Sequence, residues 1–269
     1  KLERLDNGKG IAVLKDTDGD GRAETKTTFA NYIGTGIAIK GNYLYAASNK
    51  EVFKYALNAN GDIVDENAAA TIVTGLVDKG QHNSKSITLD NAGNVYVNIG
   101  APSNACQEKD RTKGSMGMMP CPILDSAGGI WQFKVDQLNQ TYATGVRYAT
   151  GLRNVVGLDW NNQLNQLFVT QHGRDMLNNL FPDLYDTTVS AELPSETMYA
   201  IKKGDNAGWP YIYYDHVKGK KMMAPEYGGD GVKTVDDKYI NPAMAFPAHM
   251  APNGLLFYAG NQFPARYKN

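Results

Sequence analysis

The chain has 269 residues, with 27 lysines and arginines against 28 aspartates and glutamates, for a formal net charge of −1. A balance this close to neutral gives no electrostatic case for nucleic acid or an anionic membrane surface as a partner. No apolar run approaches the roughly 20 residues that span a bilayer, and the 28 glycines and 16 tyrosines fit an all-β protein with many turns and half-buried strands.

In chain order, Lys1-Leu2-Glu3-Arg4 is not a charged head followed by an apolar run, so it does not read as a signal peptide. A mature secreted chain would have lost such a segment. The tail of a first blade-like unit spans about residues 9–32. Within it lies the sharpest local motif, Asp16-Thr17-Asp18-Gly19-Asp20-Gly21-Arg22-Ala23-Glu24. Alternate carboxylates, a glycine at the sixth place and an acid at the ninth match a calcium loop. Asp16, Asp18 and Asp20, the Arg22 carbonyl and Glu24 would form the shell of a structural rather than catalytic ion. The twelfth place is Thr27 rather than a bidentate Glu. The competing reading is a solvated acidic turn.

A strand pattern then repeats. First strands fall at Gly36-Ile37-Ala38-Ile39, Ser86-Ile87-Thr88-Leu89, Gly157-Leu158-Asp159-Trp160 and Gly254-Leu255-Leu256-Phe257. Second strands fall at Tyr43 to Ala46, Val95 to Asn98 and Gln166 to Val169, and third strands at Val52 to Tyr55, Gly129 to Phe133 and Thr197 to Ile201. Glycine- and asparagine-rich turns join the first strands to the second. Repeated antiparallel meanders of this kind predict β-propeller blades. About four blades are represented, and residues 1–269 read as a single domain. An open propeller leaves unpaired sheet edges, so the expectation is a fragment of a longer propeller rather than one closed by another polypeptide. Helical periodicity is absent, apart from a short turn within Met176 to Tyr185 that Pro182 interrupts.

Cys106 and Cys121 flank a polar, Gly- and Met-rich segment with little to bury. A disulfide there would stabilise by roughly 3 kcal/mol and needs an oxidising compartment, periplasmic or secreted. Two unrelated free thiols are the alternative.

Three segments sit at blade edges: Gln81-His82-Asn83-Ser84 and Gly151-Leu152-Arg153-Asn154 directly before first strands, and Gln171-His172-Gly173-Arg174-Asp175 directly after the strand Leu167 to Thr170. Equivalent strand ends converge around a propeller axis. A histidine there can act as a general base, an arginine can fix carboxylates, and carbonyls of a glycine-containing loop can ligate a hard cation. Taken singly, each is more often an ordinary hydrogen-bonding or turn residue. His82, His172, His216 and His249 show no ligand spacing, which leaves zinc little support. Trp209, in Gly208-Trp209-Pro210-Tyr211, reads as core packing; Tyr211, Tyr213 and Tyr214 could line a sugar-facing rim or be ordinary strand tyrosines.

Together these segments resemble the soluble, pyrroloquinoline quinone (PQQ)-dependent aldose dehydrogenases, and more narrowly the sorbosone dehydrogenase branch. The resemblance runs in consistent order through His82-Asn83-Ser84, Asn94-Val95-Tyr96-Val97-Asn98-Ile99-Gly100, Gly151-Leu152-Arg153-Asn154, Gln171-His172-Gly173-Arg174, Gly208-Trp209-Pro210-Tyr211 and His249-Met250-Ala251-Pro252-Asn253-Gly254-Leu255. It implies a six-bladed propeller with the quinone on its axis and His82 as the base that takes the sugar's hydroxyl proton. It implies that Arg153 and Asn154 hold the quinone, with Gln81 beside them where some relatives carry Asp. It implies that the carbonyls of Gly173 and Arg174 ligate an active-site calcium, Arg174 standing where relatives carry proline. A sugar or sugar-derived aldehyde would be the substrate, and an external acceptor, a cytochrome c or a quinone, would take the electrons. The family's later Lys and Arg partners of the quinone would fall beyond Asn269, so this stretch is expected to be inactive alone. A non-catalytic, calcium-stabilised binding propeller is the runner-up. A calcium-dependent lactonase ranks last, because no acids are evident at the inner-strand ends.

Overall fold

The computed structural model describes residues 10–235 and 238–268; the opening tetrapeptide and the first residue of the expected blade tail lie outside them. Strands dominate. A hairpin of β1 (Ile11–Lys15) and β2 (Thr25–Phe29) comes first. An antiparallel sheet follows, made of β3 (Ile37–Lys40), β4 (Tyr43–Ala47), β5 (Val52–Ala56) and β6 (Ala70–Val73) in sequence order. The next sheet orders β7 (Ile87–Leu89), β8 (Asn94–Ile99), β9 (Gly129–Lys134) and β10 (Val146–Thr150) in the same way. The third consists of β11 (Val155–Asn161), β12 (Gln166–Gln171), β13 (Glu196–Ile201) and β17 (Met244–Phe246). Three short strands fall outside this repeat: β14 (Asp205–Asn206) adds parallel to β10, and β15 (Ile212–Asp215) pairs with β16 (Lys220–Met223). The fold is an all-β propeller whose described sheets do not close into a ring.

The local chemistry explains the meanders. Lys40 pairs with Tyr43 across the two-residue link Gly41-Asn42, and Gly41 has φ +56°. That left-handed backbone matches the twist of the flanking strands and favours glycine. β8 reads as a near-continuous run because all six of its residues are buried. A strand covered on both faces need not alternate.

Blades bury their faces against one another. Tyr45, Val52 and Ile72 of one sheet pack with Val95, Val97, Trp131 and Phe133 of the next. Tyr96 of the second sheet stacks on Trp160 of the third with ring centroids 5.1 Å apart. The innermost strands β3, β7 and β11 lie side by side, which brings their N-terminal ends together.

The nine first, second and third strands expected in the three fuller blades are present within a residue or two. The outer strands β6, β10 and β17, and the β15–β16 hairpin, were not anticipated. They are short, and β10 and β17 are largely solvent-facing, so they carry little apolar signal. The fourth inner strand is a correction: Gly254 to Phe257 lies against β11 and β12 but forms no ladder. The Phe257 amide instead donates to Asp159 Oδ2 at 2.7 Å, and Pro252 O accepts from Thr170 Oγ1 at 3.0 Å. A ladder needs a second strand on the far side, and none pairs with this segment among the described residues.

The helical turn is present as α1 (Leu177–Leu180), which ends before Pro182. A second helix, α2 (Thr187–Glu192), was missed although its cap is legible: the Asp186 side chain accepts from the Val189 amide at 2.7 Å. No described helix is long and apolar enough to cross a membrane.

Cys106 and Cys121 form a disulfide that spans 15 residues. Trp209 is buried against it, as expected of a core residue. Replacing both cysteines by serine is expected to lower unfolding free energy by about 3 kcal/mol. Denaturant melts of the two forms measure it, and a difference below about 1 kcal/mol would show that the hydrogen bonds of the loop already hold it.

Candidate active site

The N-terminal ends of β7 and β11 and the C-terminal end of β12 meet around one residue, Ala101. Its carbonyl accepts from His82 Nδ1 at 2.5 Å, and its amide donates to the Arg153 carbonyl at 2.8 Å. The backbone of one residue thereby links the imidazole of one blade to the guanidinium-bearing loop of the next. Because a carbonyl only accepts, the proton of a neutral imidazole must sit on Nδ1, which leaves the Nε2 lone pair exposed to take a proton. Burial, then the nearby Arg153 charge, pushes the His82 pKa down to about 4. Gly100 is required here. A Cβ on it would lie 2.6 Å from His82 Cβ and 3.0 Å from Asn154 Oδ1, so both side chains close over this one bare backbone.

Arg153 is almost fully buried and uses most of its donors. Nε and Nη2 donate to Asn104 O and Oδ1 at 3.2 and 3.1 Å, Nη1 to Gly173 O at 2.8 Å, and Nη2 also to Asp175 Oδ2 at 2.8 Å. Burial lowers its pKa to about 10, so it remains charged at neutral pH. Burial would raise the Asp175 carboxyl, but Arg153 and Arg111 outweigh that and hold it below the usual carboxylate range. An acid also reaches the site from beyond the second strand β12 rather than from an inner-strand end. Asp175 stands there, neutralised by two guanidiniums. Glu196 accepts from the Gly173 amide at 3.1 Å, with its pKa raised by burial.

The expected residues divide into two groups. His82, Arg153, Asn154 and the Gly173 carbonyl come together. The Gln81 amide is engaged elsewhere, donating to Asp110 Oδ2 at 2.8 Å on the disulfide loop. The Arg174 side chain points into the core, where Nη1 contacts both oxygens of Glu226, the second at 2.6 Å, with both side chains buried. Tyr213 is also turned inward, its hydroxyl 3.2 Å from that of Tyr185, and the Tyr211 hydroxyl accepts from the Cys121 amide at 2.8 Å. Tyr213 and Tyr214 line a pocket that Arg153 and Gly173 also border.

Asn104 and Arg111, both contributed by the loop after β8, were missed. Asn104 O also accepts from Trp209 Nε1 at 3.0 Å, so one residue satisfies the tryptophan and the arginine together. The one available signal was the cysteine pair that fixes this loop. Left-handed backbone at the non-glycine residues His82, Cys106, Arg111 and Met176 marks the same region, and such strain persists only where surrounding contacts enforce it.

The acidic loop stands apart. One ligand atom from each of Asp16, Asp18, Asp20 and Glu24 lies within 4.8 Å of the others, all on exposed side chains. Asp16 Oδ1 and Oδ2 accept from the Gly19 and Gly21 amides at 2.6 and 2.8 Å, and Asp20 Oδ1 accepts from the Arg22 amide at 2.7 Å.

Blades of antiparallel strands with polar groups gathered at the inner-strand ends define a propeller with an end-of-strand site, and solved proteins of this shape are known. The structure of Trichoderma reesei Carbohydrate-Active Enzymes Family AA12 matches with a TM-score of 0.72 at 19% identity, covering 93% of this chain and 66% of that one. The PQQ domain of pyranose dehydrogenase from Coprinopsis cinerea matches with a TM-score of 0.72 at 17% identity, covering 94% and 64%. A PQQ-dependent sugar dehydrogenase of Hypocrea jecorina is 23% identical over 277 residues, 94% of this chain and 63% of that protein. The chain belongs to the TrAA12-like family, whose model matches residues 4–264. It spans just under two thirds of the length of these relatives.

Proposed function

We propose that the protein of which this chain forms part is a PQQ-dependent dehydrogenase of sugars or sugar-derived aldehydes, with His82 as general base. The observation that carries this reading is the pair of Ala101 backbone contacts, which fix the His82 tautomer and tie it to the Arg153 loop. His82 Nε2 would accept the hydroxyl proton as the carbon is oxidised, and burial keeps it unprotonated at neutral pH. The charged Arg153 beside the imidazole would favour an anionic quinone electrostatically, with the Asn154 side chain alongside. When bound, PQQ supplies the two-electron acceptor. Gln81 acts indirectly, holding Asp110 and with it the loop that covers the site.

Calcium is less well served at the centre. The Gly173 oxygen already accepts from a guanidinium, and the nearby Asp175 carboxylate is paired with two. Gly173 and Arg174 offer at most two peptide oxygens of a shell that needs about six to eight, and no step is assigned to this ion. The exposed cluster of Asp16, Asp18, Asp20 and Glu24, with the Arg22 carbonyl, is the better proposed calcium site, with a structural role. Calcium at about 100 times its dissociation constant is expected to stabilise the protein by roughly 2.7 kcal/mol. Thermal melts with calcium and with chelator measure this. An equal shift in a D16N/D18N variant would clear the loop of that role.

The disulfide supports an oxidising compartment, periplasmic or secreted. The test of function is reconstitution of the full-length protein with PQQ and calcium, followed by dye reduction with aldoses. Quinone binding and turnover are expected. A folded full-length protein that binds no quinone would favour a non-catalytic propeller.

A further inference from the structure

The loop closed by the disulfide brings a second cation to the site. Arg111 Nη2 donates to Asp175 Oδ2 at 2.9 Å, the same oxygen that takes Arg153 Nη2 at 2.8 Å. The Arg111 side chain is 33% exposed and that of Arg153 4%, so Arg153 belongs to the floor and Arg111 to the rim. Asp110 Oδ2 also lies 3.9 Å from Arg111 Nε, so two guanidiniums face two carboxylates, and the Arg111 charge is the one left partly open to solvent.

The loop is built to hold that charge in place. Asp110 accepts from Ser103 Oγ at 2.6 Å, the Asn104 amide at 2.9 Å and Gln81 Nε2 at 2.8 Å. Gln107 Nε2 donates to the carbonyls of Thr112 and Ser115 at 3.1 and 2.9 Å. The Gly117 amide donates to Glu226 O at 3.0 Å. Arg111 itself has φ +53°, a left-handed conformation that a non-glycine residue keeps only where surrounding contacts enforce it. Its Nη1 rests 3.4 Å from Met176 Sδ. A surface arginine that serves solubility alone needs none of these restraints.

We propose that Arg111 is a carboxylate-binding, specificity-determining residue of this site, receiving the anionic group of an acidic sugar such as a uronic acid. The guanidinium fork matches a carboxylate in two-point fashion, and a rim position suits the substrate rather than the buried cofactor. The inference rests on the dehydrogenase reading. Quinone carboxylates present the same chemistry, and the experiment separates the two sources.

In the full-length protein, wild type, R111Q and R111K are compared for quinone affinity and for kcat/KM on glucuronate and glucose. R111Q is expected to lower the glucuronate-to-glucose ratio about tenfold or more, the worth of one such contact. The loss should fall mainly in KM, with quinone affinity and thermal stability retained and partial recovery in R111K. A comparable fall in quinone affinity with an unchanged ratio would assign the carboxylate to the cofactor and overturn the acidic-sugar assignment. No change in either would overturn the proposal. If wild type reduces no dye with any sugar, the dehydrogenase reading fails by itself. Calorimetric titration of wild type and R111Q with glucuronate then judges Arg111 alone, equal or absent binding counting against it.

Discussion

Replacing His82 by asparagine in the reconstituted full-length protein is expected to lower kcat by about 10² to 10⁴, the usual worth of a positioned general base. Asparagine can keep a polar contact near Ala101 but offers no comparable proton acceptor. KM and quinone affinity should change little, because the loss would arise only as the hydroxyl proton moves. Steady-state kinetics together with quinone titration check this. A kcat within a factor of about three of wild type would leave the imidazole without a chemical role.

The largest stability effect is expected at a contact that touches no substrate. Glu226 and Arg174 are both buried, and Glu226 is the anionic partner of the guanidinium Nη1. Replacing Glu226 by glutamine leaves a buried cation unpaired, at a cost of about 3–5 kcal/mol. An R174M/E226M double variant should regain most of that, since an apolar pair carries no uncompensated charge. Denaturant titration of the three proteins tests the pair. A loss below about 1 kcal/mol in E226Q would mean that water reaches the guanidinium. Where the resembling family carries proline, this chain braces residues 173–175 with an ion pair. The double variant should therefore be stable and still bind quinone less tightly.

These contacts show what the sequence alone could and could not convey. Inner strands such as Ser86 to Leu89 and Gly157 to Trp160 were legible because short apolar runs bounded by Gly and Asn have few other readings. Outer strands such as Val146–Thr150 were not, since one side faces solvent and β10 carries a bulge between Arg147 and Ala149. At the site, His82, Arg153 and Gly173 were legible from their places at strand ends and from their order. The Arg174 side chain was not, because Glu226 lies 52 positions away. Arg111 and Asn104 were hidden for the same reason. They lie in a loop without periodicity, and only the fold shows what that loop covers.

His82 also couples chemistry to stability. Its folded pKa, about 4, lies below its ordinary value of 6.5. Between these values the unfolded chain binds a proton that the folded chain refuses. The contribution of His82 to stability is therefore full above pH 6.5 and is lost as the pH falls toward 4.

The most direct measurement is a pH titration of the His82 ring by nitrogen-detected NMR in the folded protein. A proton held on Nδ1, a bare Nε2 and a midpoint near pH 4 are the predicted results. A proton on Nε2, or a midpoint at or above 6.5, would contradict the assignment of this imidazole as a buried, pre-oriented base.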